Sequence, residues 1–238
     1  MSRRADRVFV AIDRMDLEAA HADVARLKAL AGGIKLGLEF FVANGPQGVR
    51  AVAGPVPLFL DLKLHDIPNT VAGGVRAACL LSPRFLTIHA AGGEAMMRAA
   101  ADAARAAGPA RPLLLGITVL TSLDAGDLDA VGQRGPVADQ ARRLAALAQK
   151  SGLDGVVCSA HEVADLRALC GPDFKLMVPG IRPDWAASND QKRVVTPGEA
   201  IARGADYLVI GRPITQSDDP AAALQRIADE IAAVPARG

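Results

Sequence analysis

The stretch PLFLDLKL, residues 57–64, decides the fold that this sequence predicts. Side chains along a β-strand alternate between two faces. The leucines at positions 58, 60, 62 and 64 therefore share one face, and Phe59, Asp61 and Lys63 share the other. We interpret the stretch as a strand whose leucine face packs against helices. Its other face carries two charges at the C-terminal end.

Similar apolar runs recur along the chain, and Ala-rich amphipathic stretches such as 17–31 and 136–152 lie between them. Eight strands that alternate with helices favour one (β/α)₈ TIM barrel over residues 1–238, with a doubly wound sheet as the alternative. The seven other strand candidates are VFVAID (8–13), GIKLGL (33–38), FLTIHA (85–90), PLLLGITVL (112–120), DGVVCSA (154–160), KLMVPGI (175–181) and YLVIGRPI (207–214).

Composition excludes several classes of function. The 238 residues are 50% hydrophobic with a net charge of +1, and interspersed charges do not favour a nucleic-acid or polybasic membrane surface. No apolar run approaches the roughly 18 residues of a membrane span, and no long apolar segment follows the basic start MSRRADR before Asp13 and Asp16. Cys79, Cys158 and Cys170 are scattered, which fits thiols in a reducing compartment. We therefore expect a cytoplasmic protein.

Charged residues gather at the predicted strand ends. By the same alternation, Asp13 in the first strand and Lys35 in the second share the inward face with Asp61 and Lys63 in the third. Catalytic groups of TIM barrels lie at this C-terminal rim. A fixed array of alternating charges can stabilise charge that develops during a reaction. A purely structural ion-pair network is the alternative.

Two histidines accompany these charges. His65 shares the face of Lys63 by parity, and we prefer a structural hydrogen-bonding role for it over proton transfer. His89 ends the fourth strand candidate, where it either lines a pocket or packs.

The end of the chain predicts a phosphate site. Gly211 and Arg212 follow the eighth strand candidate, and Arg182 follows the seventh. A glycine lets backbone N–H groups approach an anion, arginine adds charge-assisted hydrogen bonds, and the loops after strands seven and eight often bind phosphate in TIM barrels. The long loop 182–197, which includes Gln191 and Lys192, is typical of a binding loop, and the loop 121–135 is similarly long.

At this point the sequence resembles the orotidine 5′-phosphate decarboxylase family, which makes UMP from orotidine 5′-monophosphate (OMP) in pyrimidine synthesis. The resemblance spans nearly the whole chain, and the block DLKLHDIPNT (61–70) is highly specific. The other matching segments are AID at Asp13, IKLGLEFF from Ile34, LTS at 120–122, PGIRP from Pro179, DQKRVVTP from Asp190 and IGRPI from Ile210.

The resemblance implies a catalytic charge array of four residues: Lys35, Asp61, Lys63 and Asp66. Lys63 is expected to protonate C6 of the pyrimidine as CO₂ leaves. Asp66 is expected to reach into the site of a second subunit, and Ile67 and Thr70 to contribute to the same partner pocket. The expected protein is thus a homodimer with shared active sites.

The resemblance also implies the substrate contacts. Asp13 is expected to bind a ribose hydroxyl, Ser122 to touch the pyrimidine edge and Thr121 to line the site. The expected phosphate ligands are Gln191, Arg212 and the Gly211 backbone, with Arg182 at the base of the closing loop. The family uses no metal, pyridoxal or flavin, so no cofactor is expected.

Two alternatives remain. Related sugar-phosphate lyases, such as 3-keto-gulonate 6-phosphate decarboxylase or hexulose-phosphate synthase, share a shorter form of the acidic motif. By the resemblance they use Mg²⁺ held partly by an acid on the second strand, where this sequence has Lys35. The second alternative is a non-catalytic sensor of a phosphorylated ligand on the same barrel. A sensor would tend to have lost a member of the charge array, which is complete here.

Overall fold

The eight apolar runs form parallel β-strands that follow one another in chain order around a closed barrel. The computed structural model describes residues 5–133, 135–186 and 195–235. Within these residues a helix follows each strand, so the predicted (β/α)₈ fold is confirmed and the doubly wound sheet is excluded.

The strands are short and most of them end earlier than the sequence pattern predicts. The first strand ends at Ala11, so Asp13 lies two residues beyond it, and the fifth ends at Ile117. Asp13 therefore lies just after its strand, whereas Lys35 and Asp61 lie within the second and third strands. The strands are β1 (Ala5–Ala11), β2 (Ala31–Gly37), β3 (Leu58–Leu64), β4 (Phe85–His89), β5 (Leu113–Ile117), β6 (Gly155–Val157), β7 (Lys175–Val178) and β8 (Tyr207–Ile210).

The helices occupy the predicted gaps. In addition to a 3₁₀ turn at Ala90–Gly92, the helices of the described residues are α1 (Leu17–Leu27), α2 (Leu38–Ala53), α3 (Pro68–Cys79), α4 (Gly93–Arg105), α5 (Ala125–Ala130), α6 (Val137–Lys150), α7 (Val163–Cys170), α8 (Pro197–Arg203), α9 (Arg212–Thr215) and α10 (Pro220–Ala232). No helix of this described part is long and apolar enough to cross a membrane.

The segment 121–135 differs from the long loop that the sequence predicts, because it contains α5. Asp124 and Asp127 form a capping box at the start of this helix. Each side chain accepts a hydrogen bond from the other residue's backbone N–H, which satisfies donors that a short helix leaves unpaired.

The chain divides into two compact units. The described residues of the first unit are 5–61, 178–186 and 195–235. Those of the second unit are 62–133 and 135–177. Each unit has its own buried apolar residues.

Aromatic rings fill the first unit beneath its charged residues. Phe9 packs edge-to-face on Phe59 and on Tyr207, with ring centroids 6.3 Å and 5.9 Å apart. A side chain at Gly33 would collide with the Phe9 ring and with the Pro57 carbonyl, so β2 carries a glycine where the ring lies. These rings pack below the charged residues of the same strands. Asp61, for example, lies two residues after Phe59 on β3.

Polar contacts connect the starts of β5 and β6 in the second unit. The Arg111 guanidinium pairs with Asp154 through two contacts of 2.7 Å, and Asp154 also accepts the Leu114 N–H. This hydrogen bonding raises the pKa of Arg111. Leu64 lies against Gly74 of α3, since a Cβ there would be 3.2 Å from a Leu64 methyl. That contact agrees with a leucine face packed against helices.

A buried carboxyl lies in the turn between β6 and α7. The Glu162 side chain is 9% exposed and accepts a hydrogen bond of 3.0 Å from the Ser159 N–H. Burial raises the pKa of Glu162 despite this hydrogen bond.

Candidate active site

Lys35 lies between two carboxylates in the first unit. Its Nζ atom is 3.5 Å from Asp13 Oδ1 and 3.7 Å from Asp61 Oδ2. The side chains of Lys35 and Asp61 are only 13% and 11% exposed, whereas that of Asp13 is 62% exposed. The inner pair is thus largely removed from solvent, where its attraction is strong. The Asp13 carboxylate remains open to a ligand.

The strand register explains this convergence. Lys35 is paired with Ala11 on one side and with Phe59 on the other, and Gly37 is paired with Asp61. The lysine side chain therefore starts one pleat below the carboxylates and extends up between them. At Gly37 a Cβ would lie 3.2 Å from Lys35 Nζ, so the glycine leaves room for the ammonium group.

Gly211 follows β8 beside the same cluster. A Cβ at this position would lie 3.3 Å from the Ala11 Cβ and 3.5 Å from Asp13 Oδ2. A side chain would therefore crowd the solvent-facing carboxylate. The glycine keeps the backbone at the start of α9 accessible next to Asp13.

A cavity of about 280 Å³ lies beyond the ends of β7 and β8. Arg182 and Arg212 give it two guanidinium groups, and Trp185 forms an apolar part of its wall. The polar residues Gln216, Ser217 and Asp218 and the apolar residues Ala186 and Pro213 complete its lining. Two guanidinium groups in one cavity suit an oxyanion such as phosphate, because arginine can donate two parallel hydrogen bonds to it.

The loop that follows β7 is closed at its base. The Arg182 N–H donates to the Val195 carbonyl at 3.2 Å, and Arg182 itself is 5% exposed. Arg226 of α10 stacks over the Trp185 ring at 4.4 Å from the centroid. These contacts hold Arg182 and Trp185, at the start of the loop, against other residues of the first unit. Gln191 and Lys192 lie outside the described residues.

Lys63 and Asp66 belong to the second unit. Lys63 has a backbone φ of +51°, and its N–H donates to Oγ1 of Thr87 at 2.9 Å. Asp66 is exposed, and its Oδ1 atom accepts the Ile67 N–H at 2.6 Å. Ile67 is 66% exposed and Thr70 is also exposed. The segment after β3 thus presents these three side chains to solvent in the single chain.

Thr121 and Ser122 follow β5 in the second unit, and both are exposed. They lie in a turn that the hydrogen bond from the Leu123 N–H to the Leu120 carbonyl closes at 3.0 Å. His65 and His89 lie near each other in the same unit, with ring centroids 5.3 Å apart and planes tilted by 33°.

Some contacts were not predicted from the sequence. The sequence pattern predicts Thr87 only as part of an apolar strand, although a hydroxyl inside the run FLTIHA is a usable signal for a specific hydrogen bond. Asp218 in the cavity lining and the stacking of Arg226 on Trp185 depend on distances between separate elements. No single-residue pattern indicates them.

Groups of three or more metal-binding side chains are absent from the described residues. The cluster that is present consists of one ammonium group and two carboxylates. A parallel barrel with ionised side chains at its strand ends and an arginine-lined cavity after β7 and β8 belongs to the class of TIM-barrel enzymes that act on phosphorylated substrates.

Comparison with known proteins identifies the family. The family model described as "Orotidine 5'-phosphate decarboxylase / HUMPS family" matches residues 6–227. The chain is 59% identical to an orotidine 5′-phosphate decarboxylase of Rhodospirillum rubrum, over 94% of this chain and 93% of that protein. It is 56% identical to one of Paramagnetospirillum magneticum, over 94% and 97%. The chain therefore belongs to the orotidine 5′-phosphate decarboxylase / HUMPS family.

A solved structure agrees with this assignment. The crystal structure of orotidine 5′-phosphate decarboxylase from Lactobacillus acidophilus superposes with a TM-score of 0.85 at 38% identity. The alignment covers 95% of this chain and 99% of that one. The similarity thus extends over the whole barrel.

Proposed function

We propose that this protein decarboxylates OMP to UMP in pyrimidine biosynthesis, as one TIM-barrel domain that acts in the cytoplasm. The observation that carries the proposal is the Lys35 ammonium between Asp13 and Asp61, in the same unit as a cavity with two arginines. Membership of the family and high identity to named decarboxylases support it.

The reaction explains why fixed charges are needed. Cleavage of the bond between C6 and the carboxylate releases CO₂ and leaves the bonding electron pair on C6. This carbanion has no obvious electron sink in the pyrimidine ring. Ammonium groups that are already oriented can stabilise it without reorganisation at the moment of reaction. Asp61 keeps Lys35 in place, since the two side chains are largely shielded from water.

Lys63 is the proposed proton donor. It follows Asp61 by two residues on β3, and the resemblance of the DLKLHD block to the family's motif supports this role. Transfer of a proton from its Nζ atom to C6 neutralises the carbanion and gives UMP. The neutral amine then takes a proton from solvent before the next turnover.

The remaining substrate contacts are proposed from where each side chain lies and from the resemblance to the decarboxylase family. Asp13 is open to solvent and suits a ribose hydroxyl. Thr121 and Ser122 are exposed after β5 and suit the pyrimidine. Arg182 and Arg212, with the backbone at Gly211, suit the 5′-phosphate. Binding energy from the phosphate can offset the cost of ordering the reacting groups.

A homodimer with shared sites is part of the proposal. Asp66, Ile67 and Thr70 are exposed in the single chain, and Ile67 is a large apolar side chain that is 66% exposed. Residues of this kind next to catalytic Lys63 suit a surface that a second subunit covers. The acid Asp66 would then complete the charge array of the partner.

The primary test is the loss of OMP absorbance on addition of purified protein, with and without EDTA. We expect turnover that is insensitive to EDTA. Absence of OMP turnover, together with an EDTA-sensitive decarboxylation of 3-keto-gulonate 6-phosphate, would instead favour the related Mg²⁺-dependent sugar-phosphate lyases. Binding of 6-azaUMP without any turnover of OMP would favour a non-catalytic sensor.

Shared sites have a separate test. A mixture of Lys63→Ala and Asp66→Ala chains, refolded together, forms hybrid dimers in which one site contains both native residues. We expect such a mixture to recover activity that neither variant has alone. Absence of recovery in verified hybrid dimers would contradict sharing and would leave the decarboxylase assignment intact.

A further inference from the structure

The backbone of Lys63 has a conformation that L-residues rarely adopt. Its φ is +51°, and apart from glycines the other residue with positive φ in the described ranges is Ser82. Such conformations persist where neighbouring groups hold them, and they concentrate at functional sites.

Ser82 provides a useful contrast. It lies in the turn after α3, and its N–H donates to the Cys79 carbonyl at 3.0 Å, as at many helix ends. Lys63 belongs to a strand instead, and its N–H donates to a side chain, Oγ1 of Thr87, at 2.9 Å. The left-handed residue on β3 therefore has a specific side-chain partner on β4.

Thr87 is well suited to hold that position. Its side chain is 0% exposed, and it lies between Leu86 and Ile88, which are equally buried. A β-branched side chain in a packed strand has little freedom about χ1, so its hydroxyl has a fixed position. The hydrogen bond of the Lys63 N–H is partly buried, and loss of its acceptor is costly, so the Lys63 backbone would move without the Thr87 hydroxyl.

We propose that Thr87 is a positioning residue for Lys63. Its hydroxyl holds the backbone of Lys63 in the left-handed conformation and thereby sets the direction in which the lysine side chain leaves the strand. The inference rests on the proposed catalytic role of Lys63. In an extended conformation the Cα–Cβ bond would point elsewhere, and a displacement of about 1 Å at a reacting group can lower a rate on the order of 10²-fold.

The test compares Thr87→Val with Thr87→Ser. Valine keeps the shape of threonine and removes the acceptor, whereas serine keeps the acceptor. We expect Thr87→Val to lower kcat for OMP at least about tenfold, while KM and the affinity for UMP stay within about threefold. Thr87→Ser should recover most of kcat, since the hydroxyl is restored.

Thr118→Val is the matched control. Thr118 is 4% exposed in the same unit, and its hydroxyl donates to the Val157 carbonyl at 3.0 Å. Its loss should lower Tm without lowering kcat. An unchanged kcat in Thr87→Val would overturn the inference, and so would an equal loss of kcat in both valine variants.

Two further variants keep the outcomes distinct. Should Thr87→Val fail to fold, the ratio of kcat between Thr87→Ser and Thr87→Ala isolates the hydroxyl, and a ratio near one overturns the inference. Full turnover by Lys63→Ala would defeat the proposed role of Lys63 itself. Loss of turnover in Lys63→Ala together with a wild-type kcat in Thr87→Val would defeat only the role of Thr87.

Discussion

The two lysines that are proposed to act in catalysis are held by different means. Lys35 has its ammonium group between Asp13 and Asp61, and its backbone on β2 pairs with Ala11 and Phe59. Lys63 is held through its backbone, at a φ of +51° and with its N–H on the Thr87 hydroxyl. The first arrangement fixes a charge where it is needed. The second fixes the backbone from which a side chain leaves its strand.

This difference has an energetic consequence. Lys35 neutralises the Asp61 carboxylate, whose side chain is only 11% exposed, so its removal affects folding as well as catalysis. The Lys63 N–H that donates to Thr87 belongs to the backbone, so an alanine at this position keeps that contact. Substitutions at the two positions should therefore differ more in their effects on stability than in their effects on turnover.

The largest expected effect belongs to Lys63→Ala. We expect kcat/KM for OMP to fall by about 10⁴-fold or more, because a proton donor alone contributes about 10²–10⁴ and the ammonium charge is lost with it. The midpoint of urea unfolding should remain that of the wild type. Measurable turnover near the wild-type rate would contradict the assignment of Lys63.

The next effect is that of Lys35→Met. We expect kcat/KM to fall by about 10²–10³-fold, as for loss of one preorganised charge in an active site. We also expect the free energy of unfolding to fall by about 1–3 kcal/mol, because Asp61 stays buried without this ammonium group. Lys28→Met, at an exposed position, is the control for urea unfolding. Equal stability of the Lys35 and Lys63 variants would remove the distinction between the two lysines.

A smaller effect is expected at the arginine-lined cavity of the first unit. Arg212→Ala should weaken binding of UMP about 10–100-fold, the value of a charge-assisted hydrogen bond, and leave the affinity for uridine unchanged. Isothermal titration calorimetry with both ligands measures this difference, with Arg142→Ala on the exposed face of α6 as control. A parallel loss of uridine affinity would argue against a phosphate site.

The smallest effect concerns Glu162 in the second unit. Burial raises the pKa of its carboxyl in the folded chain, so the folded state is favoured at low pH and loses that advantage as pH rises through the raised pKa. Glu162→Gln should therefore unfold like the wild type near pH 4 and be the more stable protein near pH 8. Urea unfolding of both proteins at both pH values measures this difference in stability. An equal difference between variant and wild type at pH 4 and pH 8 would contradict a raised pKa of Glu162.

Much of this site could be predicted from the sequence because strand alternation is a local rule. The period of two in PLFLDLKL predicts that Asp61 lies opposite the leucines, the same rule predicts the inward face for Lys35, and the two side chains do lie 3.7 Å apart. Lys63 departs from this rule, because its φ of +51° is not that of an extended strand. The strand ends were less predictable, since the ladder stops where neighbouring strands stop pairing. The helix α5 was missed because its capping residues also occur in ordinary turns.

The sequence by itself determined the alternation of strands and helices, the identity of the charged residues at the strand ends, and the family. These depend on local periodicity and on residue order. Only the tertiary structure decided that Asp13 and Asp61 lie on either side of Lys35, that Arg182 and Arg212 line one cavity, and that Thr87 receives the Lys63 N–H. The physical reason is that such contacts depend on the register between strands and on backbone torsions, which packing fixes over the whole unit.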